Sequence, residues 1–550
     1  MGNTECGGNA QELIASLWQA LAPRPFWRRD GGTTAQARSL MQRLAEVIQA
    51  GDVVYVIPIV MARDRTLARM AADAVQRVVS GLSPGELVEL DHTVRSWLRH
   101  NRPGKGSFLG HWYDLDLRGV AYLAGCGDAA VSLLGLASYH RIGHVRQRAV
   151  ELLARLRDGS ELPFLLIRLN DWVPQVRRAA EKAVRERIVP EYASHFLRCM
   201  PLLLRLEGWR RRDRTPLLDW TALTADTAWR DALAAGMISD DRGTRRECLR
   251  QTILADPSTA QQLLQGALGD RDTGVRMWAV EQIASQADLD GLRAMLPLVL
   301  ATGSVSSRGR AIMVYLDKLP DEAPAVLHEA LLDSHSSIRE MARFYMGKQG
   351  EGDFATLYRR ALAEAEGPRL RAAIGGLGEV GKTDDVDRLS GFLAHAFPRV
   401  RVAAVRAIAR LDAKANVGRL IDAVADASPR VSRQALKCVE GHVGARWADA
   451  LRELLRRTPH SHVKRNCLTL IARCGKWAGL PLLLEACLDE DEAVRDHAVQ
   501  RLEHWVTDFN RTFTRPSPDE HQAAREALAR VGSVLDERLS RELAFLLELQ

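Results

Sequence analysis

The sequence predicts an all-α fold, an α-solenoid built as a superhelical stack of helical hairpins of about 31 residues each. The first observation is a short signature that returns along the chain: an apolar residue, then arginine, then a small residue three positions further on. Between Thr244 and Val494, successive copies begin 30 to 32 residues apart. The clear copies begin at Val145, Val176, Val275, Ile338, Val400 and Val494.

The second observation is the spacing of apolar residues within each unit, which recur at i, i+3, i+4 and i+7 and so predict two helices. In one unit, residues 417–424 supply the first helix and residues 431–439 the second. Ser428 and Pro429 precede the second helix, where a hydroxyl favours the N-cap and proline the first helical position. Because two short helices cannot bury their apolar faces alone, neighbouring units must stack.

These residues give the chain a resemblance to the HEAT-repeat family, and within it to the short HEAT-like repeats of the phycobilisome-lyase type. The resemblance rests on the Val-Arg-x-x-Ala start of the second helix and on the Leu-Gly-x-x-Gly ending at residues 377–381. It covers about residues 60–505. It implies stacked helical hairpins whose second helices line a concave surface, and it implies no single activity, because such repeats serve unrelated functions.

Departures from the repeat predict five segments along the chain. Both ends are expected to be helical caps, since terminal units of a stack need polar outer faces. An insertion at residues 80–114 interrupts the N-terminal repeats, and an irregular insertion or hinge precedes the C-terminal array. The predicted segments are 1–60, 61–199, 200–235, 236–505 and 506–550.

The composition is typical of a helical protein with an ample core. Of the 550 residues, 46% are hydrophobic and 26% are charged, and the mean hydropathy is −0.17. No apolar run approaches the roughly 18 residues of a membrane span, and no leader precedes a cleavage site, so we expect a cytoplasmic protein without a membrane span. The net charge of +7 permits binding to nucleic acids or acidic proteins without requiring it.

The cysteines and histidines predict no metal site and no cofactor. The eight cysteines form no C-x-x-C pair, and Cys248 and Cys467 occupy the small-residue position of their units, so we expect buried packing thiols. Two histidine pairs lack further ligands at zinc spacing, and we interpret them as solvated loop residues. These are His140 with His144 and His460 with His462.

Residues Gly376 to Thr383 satisfy the Walker A pattern of nucleotide-binding loops. That loop requires a strand before it and a helix after it. Here residues 370–377 are in phase as the second helix of a unit, and the glycines coincide with its Leu-Gly-x-x-Gly ending. We therefore predict the C-terminus of a helix rather than a nucleotide site.

The arginine of the repeated signature is predicted to form ion pairs with acidic residues that close first helices. Candidate partners are Asp270, Asp333 and Asp489. Such a ladder would join the stacked units, with a modest contribution from each exposed pair.

Basic residues further along the second helices form a candidate binding stripe. Positions two and six after the first signature residue lie one turn apart on the same face. A merely solvated face is an equal alternative, and Glu281, Glu340 and Asp496 interrupt the stripe. The candidate residues are Arg178, Lys182, Arg246, Arg250, Arg406, Arg433, Lys437 and Arg465.

The two insertions combine cationic and aromatic side chains suited to stacking on a ligand and to phosphate contact. Trp112 in the first insertion and Trp209 and Arg211 in the second are candidate binding residues. The alternative is that the tryptophans fill gaps where the register of the repeat slips.

Taken with the fold, these features favour a non-catalytic scaffold or adaptor that binds a protein partner along its concave face. The alternative is a nucleic-acid-binding protein. A resemblance to HEAT-like alkylpurine DNA glycosylases would imply base excision, for which Asp171, Trp172 and Trp220 supply the residue types. A third class, tetrapyrrole attachment, is suggested only by the repeat type. No residue is predicted to be catalytic.

Overall fold

The computed structural model describes residues 4–21, 32–100, 110–206, 217–286, 288–511 and 513–548. Within these ranges the chain forms helices joined by short loops and contains no β-strand. Helical hairpins follow one another, and second helices of successive hairpins pack together. The predicted all-α solenoid of HEAT-like repeats is therefore confirmed. None of the described helices is both long and apolar enough to cross a membrane.

The chain divides into two compact units, Met1–Ile283 and Ala284–Gln550. The division falls inside the helix Thr273–Gln286. That helix belongs to the segment 236–505, which the sequence predicts as one array. The division into five segments remains a prediction.

The first unit consists of α-helices, most of which pair into hairpins. They span Thr4–Leu21, Gly32–Val47, Val53–Val56, Arg65–Ser80, Pro84–His100, Gly110–Tyr113, Leu117–Ala124, Ala130–Ala137, Gly143–Leu153, Leu162–Arg168, Pro174–Arg185, Ala193–Arg198, Met200–Leu206, Trp220–Leu223, Thr227–Gly236, Arg242–Ala255, Ala260–Ala267 and Thr273–Gln286.

The insertion at 80–114 contributes to the core of the first unit. Its helix Pro84–His100 packs across the helices Leu162–Arg168 and Met200–Leu206. The apolar side of the inserted helix is buried, including Val94 and Trp97. The inserted helix is therefore fixed in place by its packing against helices of the repeats.

The second unit is a regular series of hairpins followed by two closing helices. Its α-helices span Leu289–Thr302, Val305–Lys318, Ala323–Ala330, Ser336–Lys348, Phe354–Glu364, Gly367–Val380, Asp385–Ser390, Pro398–Asp412, Val417–Val424, Pro429–Val439, Ala448–Arg457, Ser461–Ile471, Leu480–Glu485, Glu492–Thr507, Pro518–Val531 and Glu537–Glu548.

The hairpin formed by Val417–Val424 and Pro429–Val439 has the helices predicted for it. Pro429 stands at the start of the second helix, and Ser428 is the N-cap, but the Ser428 hydroxyl makes no capping hydrogen bond. Instead, the Ser428 backbone N–H donates to Asp426 Oδ1 at 2.7 Å. The aspartate at the end of the first helix thus organises the turn.

Ion pairs join successive hairpins with one repeated geometry. The arginine of the signature directs Nε and Nη2 at the two carboxylate oxygens of an aspartate in the next hairpin, at 2.6–2.8 Å. In one copy, a lysine replaces the arginine. The described pairs are Arg146 with Asp171, Arg245 with Asp270, Arg308 with Asp333, Arg401 with Asp426, and Lys464 with Asp489.

Each ladder aspartate also fixes the turn of its own hairpin. Asp270 accepts the backbone N–H of Asp272 at 2.7 Å, and its carbonyl accepts a hydrogen bond from Arg276 at 2.6 Å. Hydrogen bonds from Arg245 hold the pKa of Asp270 below its ordinary value. The predicted ladder is confirmed at Asp270, Asp333 and Asp489, and it links stacking to turn geometry.

Candidate binding groove

Several hairpins lack the ladder aspartate, and in the second unit two of these hairpins are consecutive. In the ladder, the aspartate stands six residues before the signature arginine of its own hairpin, as Asp270 does before Arg276. Thr302 and Thr458 replace this aspartate in two separate hairpins, whereas Ala365 and His395 replace it in two consecutive hairpins, ahead of Arg371 and Arg401. The backbone geometry is retained, because Arg401 still donates to the His395 carbonyl at 2.8 Å. Two carboxylates are thus missing side by side.

Because these two carboxylates are missing, the signature arginines Arg339 and Arg371 have no ladder partner. Arg339 turns to Glu379, to which it donates two hydrogen bonds. Arg343 donates to the same carboxylate at 2.9 Å, and Arg410 lies 4.0 Å from it. Arg371 makes no ion pair within the described residues. The charge of Arg339 is therefore neutralised, and that of Arg371 is not.

A groove of about 450 Å³ lies at this interruption, between the helices Gly367–Val380 and Pro398–Asp412. The Glu379 carboxylate is only 4% exposed. Gly375 also borders the groove, and a Cβ added there would lie 3.1 Å from the Arg339 guanidinium. The arginines that line the groove are Arg339, Arg371, Arg399, Arg406, Arg410 and Arg430.

Positive charge exceeds negative charge along this groove. Glu379 is the single carboxylate among its lining residues in the described chain, and it is shared by several arginines. Arg399 and Arg430 are exposed, and neither forms an ion pair with any described residue. Arg406 donates Nε to Gln434 Oε1 at 2.8 Å, a neutral partner. Unneutralised guanidinium groups set close together favour an anionic ligand.

The basic positions predicted from the sequence are not gathered into one site. Of the eight, Arg406 alone lines this groove. Arg178 and Lys182 border a separate shallow depression with Glu181, Arg185 and Glu186. Arg246, Arg433, Lys437 and Arg465 are exposed on second helices.

Arg250 is less available than the sequence suggested. Its guanidinium binds Glu247 through Nε at 3.0 Å and Nη2 at 2.6 Å. Glu247 lies one turn earlier on the same helix, so the charge of Arg250 is largely compensated within its own hairpin.

Trp112 does not present its ring to a ligand. It is 1% exposed, and its ring meets His140 edge-on with centroids 5.9 Å apart. Trp97 and Trp229 are also buried. These three tryptophans therefore fill gaps in the core, which was the alternative to ligand stacking. Trp209 and Arg211 lie outside the described residues.

The glycosylase resemblance made Asp171 and Trp172 candidates for base excision. Asp171 is a ladder aspartate, and its carboxylate is already paired. Its side chain is 0% exposed and is bound by Arg146 and Arg168. Burial alone would raise its pKa, but hydrogen bonds from Arg146 and the Val173 backbone leave the pKa lowered. Trp172 is half exposed, with the Arg146 guanidinium 4.4 Å from its ring centroid.

The interpretation of His140 as a solvated loop residue was wrong. His140 is 0% exposed, accepts the Ile142 backbone N–H at Nδ1, and bonds the Trp112 carbonyl through Nε2 at 3.0 Å. Burial lowers its pKa to about 4. His144 is exposed, as predicted.

Of the seven cysteines whose side chains are described, five are buried and two, Cys126 and Cys438, are half-buried, and no disulfide forms among them. Cys248 and Cys467 are 0% exposed, as predicted, and burial raises the pKa of each thiol to about 12. Protonated thiols of this kind are poor nucleophiles. In the described part of the chain, no group of three or more histidine, cysteine or carboxylate side chains is placed to hold a metal ion.

The Walker-like glycines lie in and at the end of a helix. Gly376 is inside Gly367–Val380, where an added Cβ would collide with the Tyr358 ring, and Gly381 is the C-cap. The glycine at position 376 is therefore required by packing, which agrees with the predicted helix C-terminus.

No family model and no curated protein matches this chain. Among solved structures, it is similar to Kap121p, with a TM-score of 0.31 and 14% identity over 98% of this chain and 56% of that one. Kap121p bound to Nup53p gives a TM-score of 0.31 and 12% identity over 98% and 58%. A tumor overexpressed gene (TOG) domain array of microtubule polymerases gives 0.24 and 12% over 76% and 99%.

The chain thus spans little more than half the length of the Kap121p chains. Identities of this size concern the fold alone.

Proposed function

We propose that this chain is a non-catalytic scaffold that binds a protein partner along the exposed faces of its second helices. One observation carries the proposal. Ladder residues such as Arg401 and Lys464 are paired with aspartates of the next hairpin, whereas exposed basic residues of the second helices, such as Arg433 and Arg465, form no ion pair with described residues. An extended row of available charges suits recognition of another macromolecule. The HEAT resemblance would put this row on a concave face.

Nucleic-acid binding remains the alternative, and the described residues favour it less. Arg250 is compensated by Glu247, and Trp112 is buried. Asp171, the carboxylate considered for base excision, is enclosed by arginines. Tetrapyrrole attachment finds little support in Cys248 and Cys467, whose raised pKa values keep these thiols protonated.

Site-specific photo-crosslinking tests the scaffold proposal. A photo-crosslinking amino acid is placed at Arg433 or Arg465 on second helices, and at Asp422 or Glu453 on first helices as matched exposed controls. We expect one discrete protein adduct from the second-helix positions in cells that express the chain, and none from the controls. Equal labelling from both sets, or nucleic-acid adducts alone, would contradict the proposal.

A further inference from the structure

We propose that the arginine groove at the ladder interruption binds an extended acidic segment of a protein, one oxyanion of which takes the place of the missing ladder carboxylate at Arg371. This inference rests on the proposed scaffold function and names the chemistry of the partner. The groove is defined by Arg339, Arg371, Arg399, Arg406, Arg410 and Arg430.

The repeats themselves show what a signature arginine binds. In the copies on either side of the interruption, Arg308 and Arg401 each hold a carboxylate through Nε and Nη2 at 2.6–2.8 Å. Arg371 stands at the equivalent position and lines an open groove instead. Planar guanidinium groups bind carboxylates and phosphates with two parallel hydrogen bonds, so Arg371 has the geometry for a partner oxyanion.

The turn at His395 is already formed without an aspartate. His395 Nδ1 accepts the Phe397 backbone N–H at 3.1 Å, the role that the aspartate oxygen plays in ladder turns. The imidazole therefore accepts the turn hydrogen bond that an aspartate accepts elsewhere, but it supplies no negative charge. An arginine is left available while the hairpin keeps its shape.

The length of the groove sets the length of the segment. Its arginines come from four successive second helices, beginning with Ser336–Lys348 and ending with Pro429–Val439. Packed helices lie about 9 Å apart, so three intervals span about 27 Å. An extended chain covers that distance with about eight residues.

The lining favours a peptide over a nucleic acid. Proteins that hold single-stranded nucleic acids stack bases on aromatic rings, and no phenylalanine, tyrosine or tryptophan of the described chain lines the groove. Small residues such as Ala372, Gly375 and Ala403 lie between the arginines. Recognition of acidic or phosphorylated peptides by arginine clusters is a recurring mode.

Fluorescence anisotropy on the full chain tests this inference. The probes are labelled peptides of about eight residues, one of glutamate and one with phosphoserine at alternate positions, together with a glutamine peptide and a single-stranded oligonucleotide. The glutamate and phosphoserine arms distinguish the two sources of oxyanion. We expect both acidic peptides, or one of them, to bind more than tenfold tighter than the glutamine peptide.

The variant Arg371→Gln/Arg399→Gln/Arg430→Gln should lose at least tenfold in affinity for the acidic peptide. The matched control Arg456→Gln/Arg457→Gln/Arg525→Gln removes the same charge at exposed positions outside the groove and outside the basic stripe, and it should change affinity less than twofold. Far-ultraviolet circular dichroism verifies that both variants are folded. Equal losses in the two variants, or tighter binding of the oligonucleotide, would overturn the inference.

The crosslinking experiment separates the two proposals. A protein adduct that forms equally well in the groove variant would overturn the groove and leave the scaffold standing. If no protein adduct forms with the unmodified groove, the scaffold fails and the groove inference fails with it.

Discussion

Arg308 of one hairpin and Asp333 of the next are joined by two parallel hydrogen bonds, Nε to Oδ2 at 2.7 Å and Nη2 to Oδ1 at 2.8 Å. Asp333 also accepts the His335 backbone N–H, and its carbonyl accepts from Arg339. One carboxylate thus fixes a turn and couples it to the hairpin before. Where that carboxylate is missing from two consecutive hairpins, at Ala365 and His395, a groove lined by arginine is present.

We predict a ranked loss of stability when ladder and surface arginines are replaced by glutamine. Arg146→Gln should cost about 4 kcal/mol, because its ion pair with Asp171 is fully buried. Arg308→Gln should cost about 2 kcal/mol, since its charged hydrogen bonds to Asp333 are partly exposed. The exposed Arg433→Gln should cost about 0.5 kcal/mol or less. Amide hydrogen exchange of the affected hairpins measures the order, and equal losses would contradict it.

We predict that His395→Asp restores the ladder at Arg371. The new carboxylate can keep the hydrogen bond from the Phe397 N–H and add an ion pair, so the hairpin should gain about 0.5–1 kcal/mol. Hydrogen exchange of Pro398–Asp412 reports the change. Ala396→Asp adds the same charge at the next position and should give no gain; a similar gain there would refute a specific pair.

We predict opposite effects of Glu379→Gln on stability and on peptide affinity. Loss of this buried carboxylate leaves Arg339 and Arg343 uncompensated, so stability should fall by about 3 kcal/mol. The groove gains positive charge, so the glutamate peptide should bind several-fold tighter. Glu364→Gln, at an exposed pair with Arg360, should alter neither quantity. Unchanged or weaker peptide binding to Glu379→Gln would contradict the electrostatic role of the groove.

We predict that acid destabilises the first unit through His140. Burial lowers its pKa to about 4 in the folded state, against an ordinary 6.5, so the unfolded state takes up a proton first. Stability is therefore complete above pH 6.5 and is lost as the pH falls toward 4, by up to about 3 kcal/mol.

Hydrogen exchange of the helix Gly143–Leu153 across this pH range measures the effect. His140→Asn retains an acceptor for the Ile142 N–H but does not titrate, so its stability should vary much less between pH 6.5 and 4. A pH dependence identical to that of the unmodified chain would assign the effect to another group.

The sequence was sufficient to predict the repeat and the ladder because both depend on local spacing. Asp270, Asp333 and Asp489 each stand at a fixed distance from the signature residue of the hairpin before, and regular stacking brings them together. Burial of cysteine at the small-residue position follows from the same periodicity. These features need no knowledge of side-chain conformation.

Other features depend on side-chain direction and could not be predicted from spacing. His140 lies in a turn, yet the insertion that contains Trp112 covers it. Arg250 is basic in the sequence, but its guanidinium group donates two hydrogen bonds to Glu247 on the same helix. The groove did leave a sequence signal: Ala365 and His395 replace the ladder aspartate in two consecutive hairpins, whereas Thr302 and Thr458 replace it singly.

The most direct test of the groove is a double-mutant cycle on glutamate-peptide affinity with Arg371→Gln, His395→Asp and the combined variant. If a partner carboxylate and the carboxylate introduced by His395→Asp compete for the same guanidinium, each single change should weaken binding at least fivefold. His395→Asp should then have little further effect once Arg371 is absent. Losses that simply multiply in the combined variant, or no loss in Arg371→Gln, would contradict the binding of a partner carboxylate at Arg371.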